Sequence, residues 1–139
     1  MSSIKPSVSV EIQVPFYDLD PMQIVWHGNY LKYFEVARCA LLETFDYGYV
    51  QMKESGYMWP IVDSRIKFIN AATFDQKIRC TATLIEYENR IKIDYKIVCL
   101  DSGKRLTKGY TTQVAVNLET KELQLVSPQI LFEKLAKIS

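Results

Sequence analysis

No stretch of this sequence is apolar for long enough to cross a bilayer, and the opening residues Met1-Ser2-Ser3-Ile4-Lys5-Pro6 carry no apolar leader, so no membrane partner is expected. Charge of one sign is missing as well: 17 basic residues against 16 acidic ones leave a formal +1, which argues against nonspecific binding of nucleic acid or of an anionic membrane surface. Cysteine is scarce and odd in number. Cys39, Cys80 and Cys99 lie far apart inside apolar periodic segments, which excludes a disulfide framework or a zinc site and favours reduced, buried thiols in a cytoplasmic setting. There is no glycine-rich phosphate loop, no dinucleotide fingerprint and no metal-ligand pair, so neither metal nor cofactor is expected.

What is present fits one compact domain over residues 1–139, since 48% hydrophobic content is enough for a real core and no repeat or low-complexity linker divides the chain. Val8, Val10, Ile12, Val14 and Phe16 alternate with polar residues, the period of a strand with one buried face; Pro15 places it at a sheet edge or at its own end. Tyr30 to Tyr47 lacks Gly and Pro. Its polar residues Lys32, Glu35, Arg38, Glu43 and Asp46 trace one narrow stripe, so a helix is expected, enclosed on most of its circumference, with Asn29 as N-cap and Gly48 just past its C-terminus. After a connector through Gly56, strands are expected over Ile61 to Ile69, with Val62, Ser64, Ile66 and Phe68 on one face and Arg65 and Lys67 on the other. Two more follow, at Ile78 to Leu84 and Ile91 to Cys99, paired antiparallel through Glu88-Asn89-Arg90. A fifth carries Tyr110, Thr112, Val114, Val116 and Leu118 on one face. Ser127-Pro128 then reads as cap and first residue of a short helix lying over the sheet edge. The order is α+β: a five-stranded antiparallel sheet curled around one long central helix.

Most of the unusual chemistry falls between the first strand and the helix. Asp18, Asp20, Pro21, the only histidine, Gly28 and Asn29 lie within thirteen residues, Asp18 to Tyr30. Taken alone, Asp20-Pro21 is an ordinary turn signal, and Asp18 is best read as an Asx-type turn closing the strand. His27, Gly28 and Asn29 stand at the helix entrance, where backbone amides lack intrahelical partners and the dipole favours negative charge.

Tyr17-Asp18-Leu19-Asp20-Pro21, then Ile24-Val25-Trp26-His27-Gly28-Asn29-Tyr30 and Tyr33-Phe34-Glu35-Val36-Ala37-Arg38, resembles the hotdog-fold acyl-CoA thioesterases of the 4-hydroxybenzoyl-CoA thioesterase type. Pro60-Ile61-Val62 and the Phe74-Asp75 turn also look like features of that family. The resemblance implies hydrolysis of an acyl thioester, with Asp20 as nucleophile or general base and helix N-terminal amides near His27 and Gly28 as oxyanion donors. By the same resemblance His27 contacts the thioester, Asn29 and Glu35 cap or orient water, and Trp26 and Tyr30 either pack or wall the acyl pocket. Arg65, Lys67 and Lys77 could reach the phosphates of the coenzyme A carrier, which is substrate and not cofactor. A homo-oligomer, dimer or tetramer, is implied as well, and open sheet edges favour it. One departure is visible: Gln23 stands where relatives often carry glycine, so the loop backbone and the adjoining acyl pocket are the expected places for a difference. Alternatives are an acyl-carrier-protein thioesterase, a hotdog dehydratase using His27 itself as base, or a noncatalytic acyl-binding subunit.

Overall fold

A computed structural model describes residues 5–138; Met1 to Ile4, the start of the stretch read above as leaderless, lie outside the described residues, as does Ser139. In chain order the elements are β1 (Ser7–Gln13), α1 (Asn29–Thr44), α2 (Tyr49–Glu54), β2 (Tyr57–Met58), β3 (Ile61–Phe68), β4 (Lys77–Glu86), β5 (Ile91–Cys99), β6 (Arg105–Gln113), β7 (Val116–Asn117) and α3 (Gln129–Ala136). Five of the strands make one antiparallel sheet in the order β1-β4-β5-β6-β3, and β2 pairs with β7 separately. The sheet is built from period-two sequence. Ile78, Cys80, Ala82 and Leu84 on β4 and Ile91, Ile93, Tyr95 and Ile97 on β5 turn inward and are buried against α1, whose Tyr30, Tyr33, Phe34, Ala37 and Leu41 recur every three or four residues. The Phe34 ring stacks on Tyr95 at 4.3 Å. Gly109 makes room for it, since a Cβ there would overlap the Arg65 carbonyl and stand 2.9 Å from the Phe34 ring.

Several local expectations are corrected. Phe16 is not on the buried face of β1; the strand stops at Gln13 and Phe16 lies exposed in a 3-10 turn over Phe16–Asp18. Helix α1 begins at Asn29 with Gly28 in the cap position, so Asn29 is not the cap. It ends at Thr44, and the left-handed residue beyond it is Asp46, at φ 55°, while Gly48 has extended backbone and precedes α2. The connector through Gly56 contains a helix, α2. On α1 the polar stripe is exposed at Glu35 and Glu43 as expected, but so are the apolar Leu31 and Val36, whereas Arg38, placed on that stripe, is only 4% exposed.

On β6 the sheet register puts Thr107, Gly109 and Thr111 on the inner face, beside Ile97, Tyr95 and Ile93 of β5, while Tyr110 and Thr112 face outward; Val116 belongs to β7. The apolar residues sought on the other face misdirected the reading, because this inner face is polar and pairs internally: the Tyr95 and Thr111 hydroxyls are 2.7 Å apart. Pro128, not Ser127, caps α3. That helix closes the end of the sheet and not its edge, with Phe132 against Tyr87 beyond β4 and Lys134 bonded to Asp46 beyond α1.

Candidate active site

The segment between β1 and α1 is anchored by Asp18. This carboxylate is 3% exposed and accepts hydrogen bonds from Lys32 Nζ and the Tyr33 hydroxyl, both at 2.6 Å. Its backbone carbonyl accepts from the Trp26 amide at 3.0 Å and from Asn29 Nδ2 at 2.9 Å. Burial, then the Asp18 charge, raises the Tyr33 phenol pKa, so it stays protonated and donating. Asp18 thus ties this segment to α1 through buried pairing and not through an Asx turn. Asn29 serves the same tie.

Two residues later the chain closes a small loop. The Asp20 amide donates to the Ile24 carbonyl at 2.8 Å, and the Gln23 amide donates to the Asp20 carbonyl at 3.0 Å. Gln23 has φ 69°, so this left-handed position is kept without glycine. Asp20 Oδ1 accepts from the Met22 amide at 2.8 Å, and among the described residues Oδ2 has no protein partner. The carboxylate lines a cavity of about 350 Å³ together with Ile24, His27, Tyr30, Phe68 and Ile69. Tyr30 meets Phe68 edge-on at 5.4 Å, and its hydroxyl accepts from the Ala72 amide at 3.2 Å. Burial holds the Tyr30 phenol above its usual value, and the nearby Asp20 charge adds to this.

At the helix entrance the amides of Asn29 and Tyr30 bend back to the carbonyls of Trp26 and His27, at 2.9 and 3.4 Å. Among the described residues the amides of His27 and Gly28 meet no acceptor. The space above Gly28 is taken by the Trp26 ring, which a Cβ would overlap; Gly28 itself has ordinary right-handed helical backbone, φ −67°. The glycine here admits an indole. His27 lies between Trp26 and Phe68, with ring centroids 5.1 and 6.4 Å away.

The structure thus brings Asp20, His27 and Tyr30 together, with Trp26, Gly28 and Asn29 behind them but not lining the cavity. Glu35 lies elsewhere, exposed on α1 and paired at 3.2 Å with Arg38, whose guanidinium also donates to the Tyr49 hydroxyl at 2.7 Å. Arg65 and Lys67 project from the outer face of the sheet, opposite to Phe68. Lys77 opens β4 beside Gln13. Unread in the sequence were Met22, Ile24, Ile69, Asn70 and Ala71, all on the cavity wall. They arrive through long-range pairing, a bridge between Ile24 and Thr73 and a bond from the Val25 amide to the Ala72 carbonyl, which leaves no local pattern.

A carboxylate with one unengaged oxygen can attack a carbonyl carbon or take a proton from water, and two unused amides can receive the charge that develops on the carbonyl oxygen. Among the described residues no group of three or more His, Cys, Asp or Glu is arranged to hold a metal ion, and no helix is long and apolar enough to cross a membrane.

Comparison with known proteins gives the family and the fold. The family model of the thioesterase-like superfamily matches residues 14–134. The chain is 30% identical over 111 residues to YneP of Bacillus subtilis, a protein proposed to be an acyl-CoA thioesterase, covering 79% of this chain and 80% of that one. Its structure resembles that of a DHNA-CoA thioesterase from Staphylococcus aureus with a TM-score of 0.83 at 22% identity, covering 95% and 90% of the two chains. It also resembles a 4-hydroxybenzoyl-CoA thioesterase mutant complexed with 4-hydroxybenzoyl-CoA, at a TM-score of 0.81 and 18% identity over 94% and 99% of the chains. The α+β architecture, a five-stranded antiparallel sheet on a central helix, is the hotdog fold.

Proposed function

Because the chain belongs to the thioesterase-like superfamily, matched over residues 14–134, we propose that it is an acyl-CoA thioesterase whose chemistry is carried by Asp20 and the amides at the head of α1. The observation that carries this reading is the free oxygen of Asp20 in the cavity that His27 also lines, with the His27 and Gly28 amides unused among the described residues. As general base, Asp20 takes a proton from water as the water oxygen bonds to the thioester carbon; as nucleophile, its own oxygen forms that bond and a mixed anhydride results. In both routes the carbonyl oxygen gains negative charge beside donors worth about 10²–10³ in rate each. Collapse breaks the carbon–sulfur bond and the thiolate of coenzyme A leaves and takes up a proton; the general-base route yields the acid directly, whereas in the nucleophilic route water then hydrolyses the anhydride to the acid and frees the Asp20 carboxylate. The Tyr30 phenol, kept neutral, and the Phe68 ring form the apolar wall against which the acyl group lies.

The assembly is a dimer or tetramer in this reading. Strand β3 pairs with β6 on one side only, leaving an exposed edge, and Phe16, Tyr17, Met22, Trp26 and Phe74 are exposed apolar residues on the segments that flank the cavity. A second copy would cover both. The three free thiols suit a reducing compartment, the cytoplasm. The test is release of free thiol from a panel of aliphatic and aromatic acyl-CoA and acyl-carrier-protein thioesters, with light scattering of the same sample. Turnover of acyl-CoA by an oligomer is expected. Saturable binding without thiol release would make the chain an acyl-binding subunit instead.

A further inference from the structure

A groove larger than the Asp20 cavity lies elsewhere. It lies on the outer face of the sheet, has a volume of about 630 Å³, and is lined by Arg65, Lys67, Lys96, Arg105 and Lys108 against a single carboxylate, Asp94. The register aligns the three lysines. Lys96 on β5 stands opposite Lys108 on β6, and Lys108 stands opposite Lys67 on β3, so three ammonium groups share one row; Arg65 is one pleat along, opposite Tyr110. Like charges directly opposite one another destabilise a sheet. Lysine on a strand is often an edge-blocking device, which accounts for Lys67 on the edge strand but not for Lys96 and Lys108 on interior strands. Among the described residues these five side chains make no ion pair and no hydrogen bond, although the chain carries ion pairs at Lys32, Arg38, Arg79, Arg90 and Lys134. The row of cations thus faces only one carboxylate, Asp94, in a molecule whose net charge is only +1.

We propose that this outer groove binds a phosphate-rich small anion, held by Lys96, Lys108 and Lys67 with Arg65 and Arg105 at its two ends. Converging ammonium and guanidinium donors match several phosphate oxygens at once, and the concave site suits a small molecule better than a protein surface. The proposal does not depend on the thioesterase reading. The groove faces away from the Asp20 cavity, with Lys67 pointing outward and its neighbour Phe68 inward, yet Ile69 lines both. Two sources share the chemistry: the phosphates of the substrate's own carrier, passing around the end of β3, or a separate polyphosphate.

The experiment is calorimetric titration of the full chain at low salt with inorganic tripolyphosphate and with coenzyme A. Saturable tripolyphosphate binding that weakens as salt rises is expected. The Lys96→Gln/Lys108→Gln double variant, its fold checked by circular dichroism, should bind about tenfold more weakly or worse, given the strength of charge-assisted hydrogen bonds. Lys67→Gln on the edge strand gives the same readout should the double variant misfold. If the KM for acyl-CoA rises in the variant while that for the matching acyl-pantetheine does not, the anion is the carrier's; if neither moves, it is a separate ligand. Absence of saturable tripolyphosphate binding, equal binding by the variant, or binding of an acidic protein alone would overturn the proposal.

Discussion

Removing the Asp18 carboxylate should cost stability and leave the chemistry largely intact. Asp18→Ala takes away the acceptor of the Tyr33 hydroxyl, a side chain only 2% exposed, and an orphaned buried donor costs about 1–3 kcal/mol. Lys32 is 47% exposed and can turn its ammonium to water, so the lost ion pair adds about 1 kcal/mol at most. The sum is about 1–4 kcal/mol, and at roughly 3–5 °C per kcal/mol for a domain of this size the melting temperature should fall by roughly 10 °C. Asp18→Asn keeps an oxygen for Tyr33 and loses only the charge, so about half that fall is expected. Thermal melts followed by circular dichroism read both. In a Tyr33→Phe background Asp18→Ala should cost about 1 kcal/mol less, because the orphaned hydroxyl is already gone. An unchanged melting temperature for Asp18→Ala would refute the reasoning. A folded Asp18→Asn protein that had lost its turnover would instead show that the two carboxylates share the chemistry.

At the helix entrance, Gly28→Ala should destabilise by about 1–3 kcal/mol as the new methyl displaces the Trp26 ring, and adding Trp26→Ala should recover most of the loss; a double variant no better than the single one removes that account. Gln23→Gly should raise stability by about 0.5 kcal/mol, since relief of a left-handed side chain slightly exceeds the entropy cost of glycine, and a lower melting temperature would count against it. His27→Phe should keep much of the turnover, because carbonyl polarisation is assigned to backbone amides; a folded but inactive variant would make the imidazole the catalytic base and favour the dehydratase reading.

The parts of this fold that were legible are those in which burial follows a local period. β4 and β5 alternate strictly, and their side chains are buried as the alternation requires. The helix was legible for the same reason, but its exposure was not: Arg38 is buried because Tyr49, eleven residues on, accepts from its guanidinium, and no spacing on α1 announces that. The inner face of β6 escaped because it is polar, with Thr111 paired across to the Tyr95 hydroxyl and the Thr107 hydroxyl buried without a hydrogen-bond partner among the described residues. Helix α2 escaped because its six residues, Tyr49–Glu54, are too few to display a period. In the candidate site, Asp20 and His27 stood out as residue types at a helix start. The cavity around them did not, since Phe68, Ile69 and Asn70 reach it from the end of β3 and just past it only once the sheet has formed. Nor could any pattern reveal that the Gly28 position is filled by its own neighbour's ring.

The central assignment is tested most directly by the turnover of Asp20→Asn with an acyl-CoA substrate. An amide oxygen at this position can still accept the bond from the Met22 amide that closes the loop, so circular dichroism and the melting temperature should match the unsubstituted protein. Turnover should nevertheless fall by about 10²-fold or more, as for loss of a positioned base or nucleophile. A variant with the same fold and undiminished turnover would contradict the assignment and move the chemistry away from Asp20.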